Sequence, residues 1–257
     1  MQTPAGWGTD SLSRFVENTL CNNLACYVNL KPIWQHLACI DEQMQVASEN
    51  LHGLPDANAA LVVAPLLLRS QASYRAGAQL ASGGQLPEAY MVLRGCLENS
   101  LYAFHINSNP AAAEIWLRRD ENTEAKKLVR KEFAISLLKS ELEAKDPELG
   151  KIVRDRYESL ITYGGHPNPY SILVQSTQEQ DGSTLTTLTG DSIPMRVCLT
   201  TTALVGLCAL HVFEHIFRHR FEILGISNKI RILRDRSKFD LYRQIPHTGP
   251  PDMAWPS

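Results

Sequence analysis

The sequence is poorer in signals than its length suggests, and each absence removes a class of function. Its six cysteines are Cys21, Cys26, Cys39, Cys96, Cys198 and Cys208, and none forms a Cys-x-x-Cys pair. Zinc-finger and dithiol-redox spacings are therefore missing. Most of these cysteines fall in apolar helical patterns, where a free thiol behaves as a small hydrophobe, which points to a reducing cytoplasm. Basic residues are not in excess: 25 Lys and Arg stand against 27 Asp and Glu, a net charge of -2. A surface built throughout for nucleic acid is excluded, although a local basic patch is not. The N-terminal "MQTPAGWGTDSLSRF" lacks a basic stretch followed by an apolar core, so a secretory signal is not expected. The apolar run "VCLTTTALVGLCALHVF", Val197 to Phe213, has 17 residues with no formal charge. It falls short of a usual span and holds three threonines and a histidine, the pattern of a buried core helix, so no membrane partner is expected. No internal repeat, low-complexity tract or recognised catalytic motif runs through the chain.

What remains is a globular composition, 44% hydrophobic and 20% charged over 257 residues. That is enough for one large domain or one domain with an extension. Helical periodicity dominates. Asp10 caps a helix running to about Asn23. Pro32 suits the first turn of a second, which ends near His52-Gly53. A third runs from about Asn58 to Ser82, kinked at Pro65 and stopped by Gly83-Gly84. A fourth runs from Pro87 to about Asn107, and a short one follows Asn109-Pro110. "TEAKKLVRKEFAISLLKSELEAKD" reads as one amphipathic helix. Pro147 opens the next, which ends at Gly164-Gly165. Then "YSILVQSTQEQDGSTLTTLTG" alternates, is rich in β-branched residues and carries Asp181-Gly182 at its middle, the form of a β-hairpin. Ile193 to about Gly225 reads as a long final core helix, followed by a proline-rich tail. The expected fold is mainly α: a bundle of six to eight helices with a small β-hairpin inserted before the last long helix. Its expected parts are an N-terminal helical extension over 1–57, a bundle core over 58–225 with the hairpin at about 170–189, and a basic helix and tail over 226–257.

Burying charge is costly unless it is paired, so polar residues inside apolar helical arcs are the candidates for function. With about 100° per residue, Tyr90, Leu93, Leu97, Leu101 and Phe104 mark the apolar arc of the fourth helix. Arg94, Glu98 and His105 fall inside it. In the helix from Glu148 to Tyr163, Arg156 sits near the centre of the arc of Leu149, Ile152, Val153, Leu160 and Tyr163. Beyond that helix, Gly164-Gly165 lets the chain turn, and Pro167 and Pro169 stiffen it, placing His166 and Asn168 at the bundle end. Arginine, glutamate and histidine in a partly dry cleft suit phosphate binding or acid–base work. The same residues also suit a buried ion network that only fixes helix register.

Two further motifs weigh less. "HVFEH", His211 to His215, matches the H-x-x-E-H pattern of zinc peptidases. That pattern needs a downstream carboxylate ligand, and after Glu222 only Asp235, Asp240 and Asp252 remain. On the helical wheel His211, His215, His219 and Glu222 lie opposite Phe213, Ile216, Phe217 and Leu224, so a polar face, solvated or packed on another helix, is expected and no metal. "IRILRDRSKFDLYRQ" interleaves Arg231, Arg234, Arg236, Lys238 and Arg243 with Phe239 and Tyr242, a nucleic-acid pattern diluted by two aspartates, for which a solvated helix face is the usual reading.

The segments "AYMVLRGCLENSLYAFHI", with its Arg-x-x-x-Glu core, and "RYESLITYGGHPN" carry a resemblance. Over Tyr74 to about Tyr170, under half of the chain, it resembles a loose family of uncharacterised bacterial helical proteins, HEPN-like in look. Members of the HEPN superfamily include helical-bundle ribonucleases of defence and toxin systems and non-catalytic binding modules. The catalytic ones use an arginine and a histidine four to six residues apart, with a polar residue on an earlier helix. The resemblance implies His166 and Arg156 as the catalytic pair and Glu98 as the earlier polar residue; apart from it, the residues themselves offer Arg94, His105, Asn168 and Tyr163 as ligand-binding candidates. Nine residues separate Arg156 from His166 here, so the two do not share one helical face. The function expected is a cytoplasmic HEPN-like module that binds a protein partner or an anionic ligand such as RNA. The alternatives are a metal-independent endoribonuclease and a non-enzymatic interaction module, with a homodimer through the long helices as one form. No cofactor is expected.

Overall fold

The computed structural model describes residues 3–50, 57–165, 169, 176–179, 182–185 and 188–241. Side chains are not described at 57–60, 165, 176–179, 182–185, 238 and 239. The architecture is mainly helical. Helix α1 (Ser11–Asn29) is capped by Asp10, whose carboxylate accepts from the Ser13 amide at 2.8 Å. It runs past the expected end at Asn23 because Cys26 and the following Leu30 are buried and hold its last turns to the core. Helix α2 (Lys31–Glu49) has Pro32 in its first turn, where the missing N–H costs nothing. It buries Ile33, Leu37, Ile40 and Met44, one face at helical spacing.

Helices α3 (Ala57–Gly83) and α4 (Leu86–Ser108) lie against each other along their length, and α9 (Ile193–Ile223) packs on both. Pro65 stands inside α3, which continues across it. It faces outward, so water can meet the carbonyl that loses its partner. Gly206 lets α9 approach α3: a Cβ there would sit 2.3 Å from the Tyr74 ring. Tyr74 is pinned in turn, its hydroxyl donating to the Leu37 carbonyl of α2 at 2.9 Å.

Helices α5 (Ala111–Leu117), α6 (Thr123–Glu132), α7 (Ile135–Lys145) and α8 (Pro147–Leu160) follow. The expected single helix over Thr123 to Asp146 is thus two. The break falls at Phe133 and Ala134, where Phe133 is buried and its ring packs 4.7 Å from Tyr102 and 5.2 Å from His105. Tertiary burial of one aromatic outweighs a run of good helix formers. Helix α8 passes into a π-helical turn, Ile161–Gly165. Two four-residue strands, β1 (Ser176–Glu179) and β2 (Gly182–Leu185), pair antiparallel with Ser176 opposite Leu185.

Among the described residues, α9 is the one helix long and apolar enough to cross a membrane, and 78% of its most apolar window is buried inside the fold. Its backbone leaves helical geometry once, at Phe217 (φ -113°, ψ 31°). Gly225, in the left-handed region at φ 74°, then turns the chain into α10 (Ile226–Asp240).

Candidate functional site

Arg94 and Glu98 pair at 3.3 Å along α4, as their spacing of four requires. Both are partly open to water, with side chains 41% and 34% exposed, which corrects their expected place in the interior. They stand at the edge of the apolar arc, and their long stems carry the charged heads outward. Tyr157 of α8 completes this group, donating its hydroxyl to Glu98 Oε1 at 2.7 Å. Burial, and then Glu98, push its phenol well above the usual range. Lys139 lies 4.7 Å over the Tyr157 ring and pairs with Glu158 at 2.7 Å.

Arg156 is 8% exposed, in keeping with its place at the centre of the α8 arc. Its charge reaches Cys208 of α9, a thiol that burial pushes up to about 12 and Arg156 pulls down. Tyr163 packs its ring 5.5 Å from Tyr90. Gly164 permits the π-helical turn to touch α4, since a Cβ would lie 2.7 Å from the Pro87 carbonyl. His166 and Asn168 lie outside the described residues.

Comparison with protein-family models, with curated proteins and with solved structures gives no match. The chemistry of the chain therefore rests on its own side chains.

His105 parts from the Arg94 group. It is buried, with Nδ1 2.7 Å from Glu141 Oε2 and Nε2 3.3 Å from Glu132 Oε1, so α6 and α7 supply a carboxylate to each ring nitrogen. These residues line a cavity of about 590 Å³ that also reaches Lys145 and His215.

His215 leads to the cluster that the zinc-peptidase spacing only half announced. Its Nε2 lies 2.9 Å from Oδ2 of Asp146, the N-cap of α8. His211, one turn earlier on α9, stacks on it at 5.6 Å and 17°. One donor atom from each of the three lies within 4.8 Å of the others. The first half of this polar face packs on the start of α8, leaving side chains 19% exposed at His211 and 25% at His215, while His219 and Glu222 further along are exposed. Burial lowers the His211 pKa, partly countered by Glu214 at 3.6 Å. Burial raises Asp146, but hydrogen bonds from the Leu149 amide and His215, with the charge of both histidines, bring it below the usual carboxylate value.

The end of α9 and α10 form a third feature. Residues 218–240 hold seven Lys or Arg and three Asp or Glu, a local net charge of +4 in a chain of -2. Arg218, Lys229, Arg231 and Arg236 are exposed.

Proposed function

We propose that the chain is a HEPN-like helical-bundle module that binds an anionic ligand, RNA, through the basic surface of α10 and the end of α9. The observation that carries this reading is the local net charge of +4 over residues 218–240, where Arg218, Lys229, Arg231 and Arg236 are exposed, in an otherwise acidic chain. Such a patch releases counterions from phosphates, so affinity falls with salt. The cytoplasm is its place of work. The apolar residues Leu12, Val16, Leu20, Leu24 and Val28, exposed along α1, support a protein partner or a second copy as the alternative binding mode.

A second reading, metal-independent RNA cleavage, draws on the π-helical turn that leads directly to His166, since such turns recur at functional sites. In it His166 acts as general acid or base. Arg156, 8% exposed, would stabilise the phosphate only with a change of position.

Fluorescence anisotropy of a labelled single-stranded RNA against wild type and the Lys229→Glu, Arg231→Glu, Arg236→Glu triple variant tests the binding reading. The expected result is at least a tenfold loss, with the log–log salt slope reduced by about 2 for three lost contacts on a single strand. Equal binding by both proteins, or none by either, overturns it. Intact RNA after incubation with wild type removes the cleavage reading. Cleavage that His166→Ala abolishes establishes it.

A further inference from the structure

We propose that Asp146, His211 and His215 bind one divalent transition-metal ion of the zinc class. The inference stands apart from the RNA-binding reading and uses none of its residues. Three observations converge on it. First, two imidazoles one helical turn apart on α9 meet a carboxylate from α8, with donor atoms within 4.8 Å of one another. A tetrahedral ion with bonds of about 2.0–2.1 Å sets its donors about 3.4 Å apart. Second, His211 Nδ1 is buried and has no hydrogen-bond partner among the described residues, whereas its other nitrogen, Nε2, faces Glu214 at 3.6 Å. A buried ring nitrogen with nothing to bond is uncommon. A carboxylate beside an imidazole is the usual support of a ligating histidine, and Glu214 at 3.6 Å is placed for it just outside hydrogen-bond reach. Third, His215, alone of the three, lines the cavity of about 590 Å³, so solvent reaches one side of the cluster.

Two nitrogens and one oxygen select the class. Calcium and magnesium take oxygen ligands in larger numbers, and thiolate-seeking ions find no cysteine in the triad. Three protein ligands with the fourth position open is the arrangement of exchangeable or catalytic zinc rather than of a closed structural site. The carboxylate comes from upstream in the chain, the reverse of the order that the H-x-x-E-H pattern requires of peptidases.

Isothermal titration of the full-length, chelator-treated chain with zinc chloride tests the site. The expected result is one ion per chain, with affinity at least tenfold weaker in His211→Gln and in His215→Gln. Asp146→Asn keeps the helix cap while removing the anionic ligand, and the same loss is expected there. His219→Gln, exposed and outside the triad, serves as the unchanged control. Cobalt in place of zinc on wild type should give the strong visible bands of a four-coordinate ion, a readout independent of how well the variants fold. No zinc binding by wild type, or equal affinity in the His211→Gln/His215→Gln double variant, overturns the proposal.

Discussion

His36 is buried at 3% exposure in α2, with Asp240 Oδ2 3.6 Å from its Nδ1. Burial lowers its pKa from 6.5. Asp240 pulls the other way, and Arg236 pushes with the burial. The unfolded chain takes up a proton near 6.5, whereas the fold resists it until a lower pH. Stability is therefore full above 6.5 and falls as pH drops from there through the folded pKa. The ring should titrate with a midpoint below 6.5 by NMR. His36→Gln should lose less melting temperature than wild type between pH 7.5 and 5.5. Its acid loss should persist in part, because burial holds His211 down in the same sense. A His36 midpoint above 6.5 would reverse the assignment. At this scale, local spacing was readable and distant pairing was not. Arg94 and Glu98 are four apart, so their bond follows from the helix. Tyr157 reaches Glu98 across 59 residues and Asp146 reaches His215 across 69, and no periodicity announces either. His105 fell inside the apolar arc as expected, yet its carboxylates come from α6 and α7, whose positions depend on the whole bundle.

The crossing of α3 and α9 depends on a position with no side chain. A methyl at Gly206 would press on Tyr74, whose ring is buried and whose hydroxyl is tied to α2. Gly206→Ala should lower stability by about 1–3 kcal/mol in chemical denaturation, the usual cost of overpacking. A neutral or stabilising result would mean that the two helices part freely. Helix existence was legible from proline, glycine and cap residues: Asp10, Pro32, Gly83 and Pro147 all mark true boundaries. The division between α6 and α7 was not, because Phe133 is turned inward by Tyr102 and His105, partners that local propensity does not see. The departure at Phe217 was hidden for a similar reason. Phe213, Phe217 and Phe221 stack at 6.4 and 6.2 Å, holding their rings in line while the backbone between them changes geometry.

Buried residues from α1 through α10 belong to one continuous core. Ile40 of α2, fully buried in it, should cost about 2–5 kcal/mol as Ile40→Ala. The loss should appear in a single transition, at the same midpoint by circular dichroism and by tryptophan fluorescence, since Trp34 on α2 and Trp116 on α5 pack on the same core. Two separated transitions would show that the N-terminal helices melt by themselves. With +4 gathered in residues 218–240, the rest of the chain holds -6, so the molecule is an electric dipole more than a weak acid. On a chromatography column that asymmetry outweighs the isoelectric point of about 6.4. At neutral pH the protein should be retained by an anion exchanger through its bulk and by a phosphate or sulfate resin through one end, orienting itself differently on each.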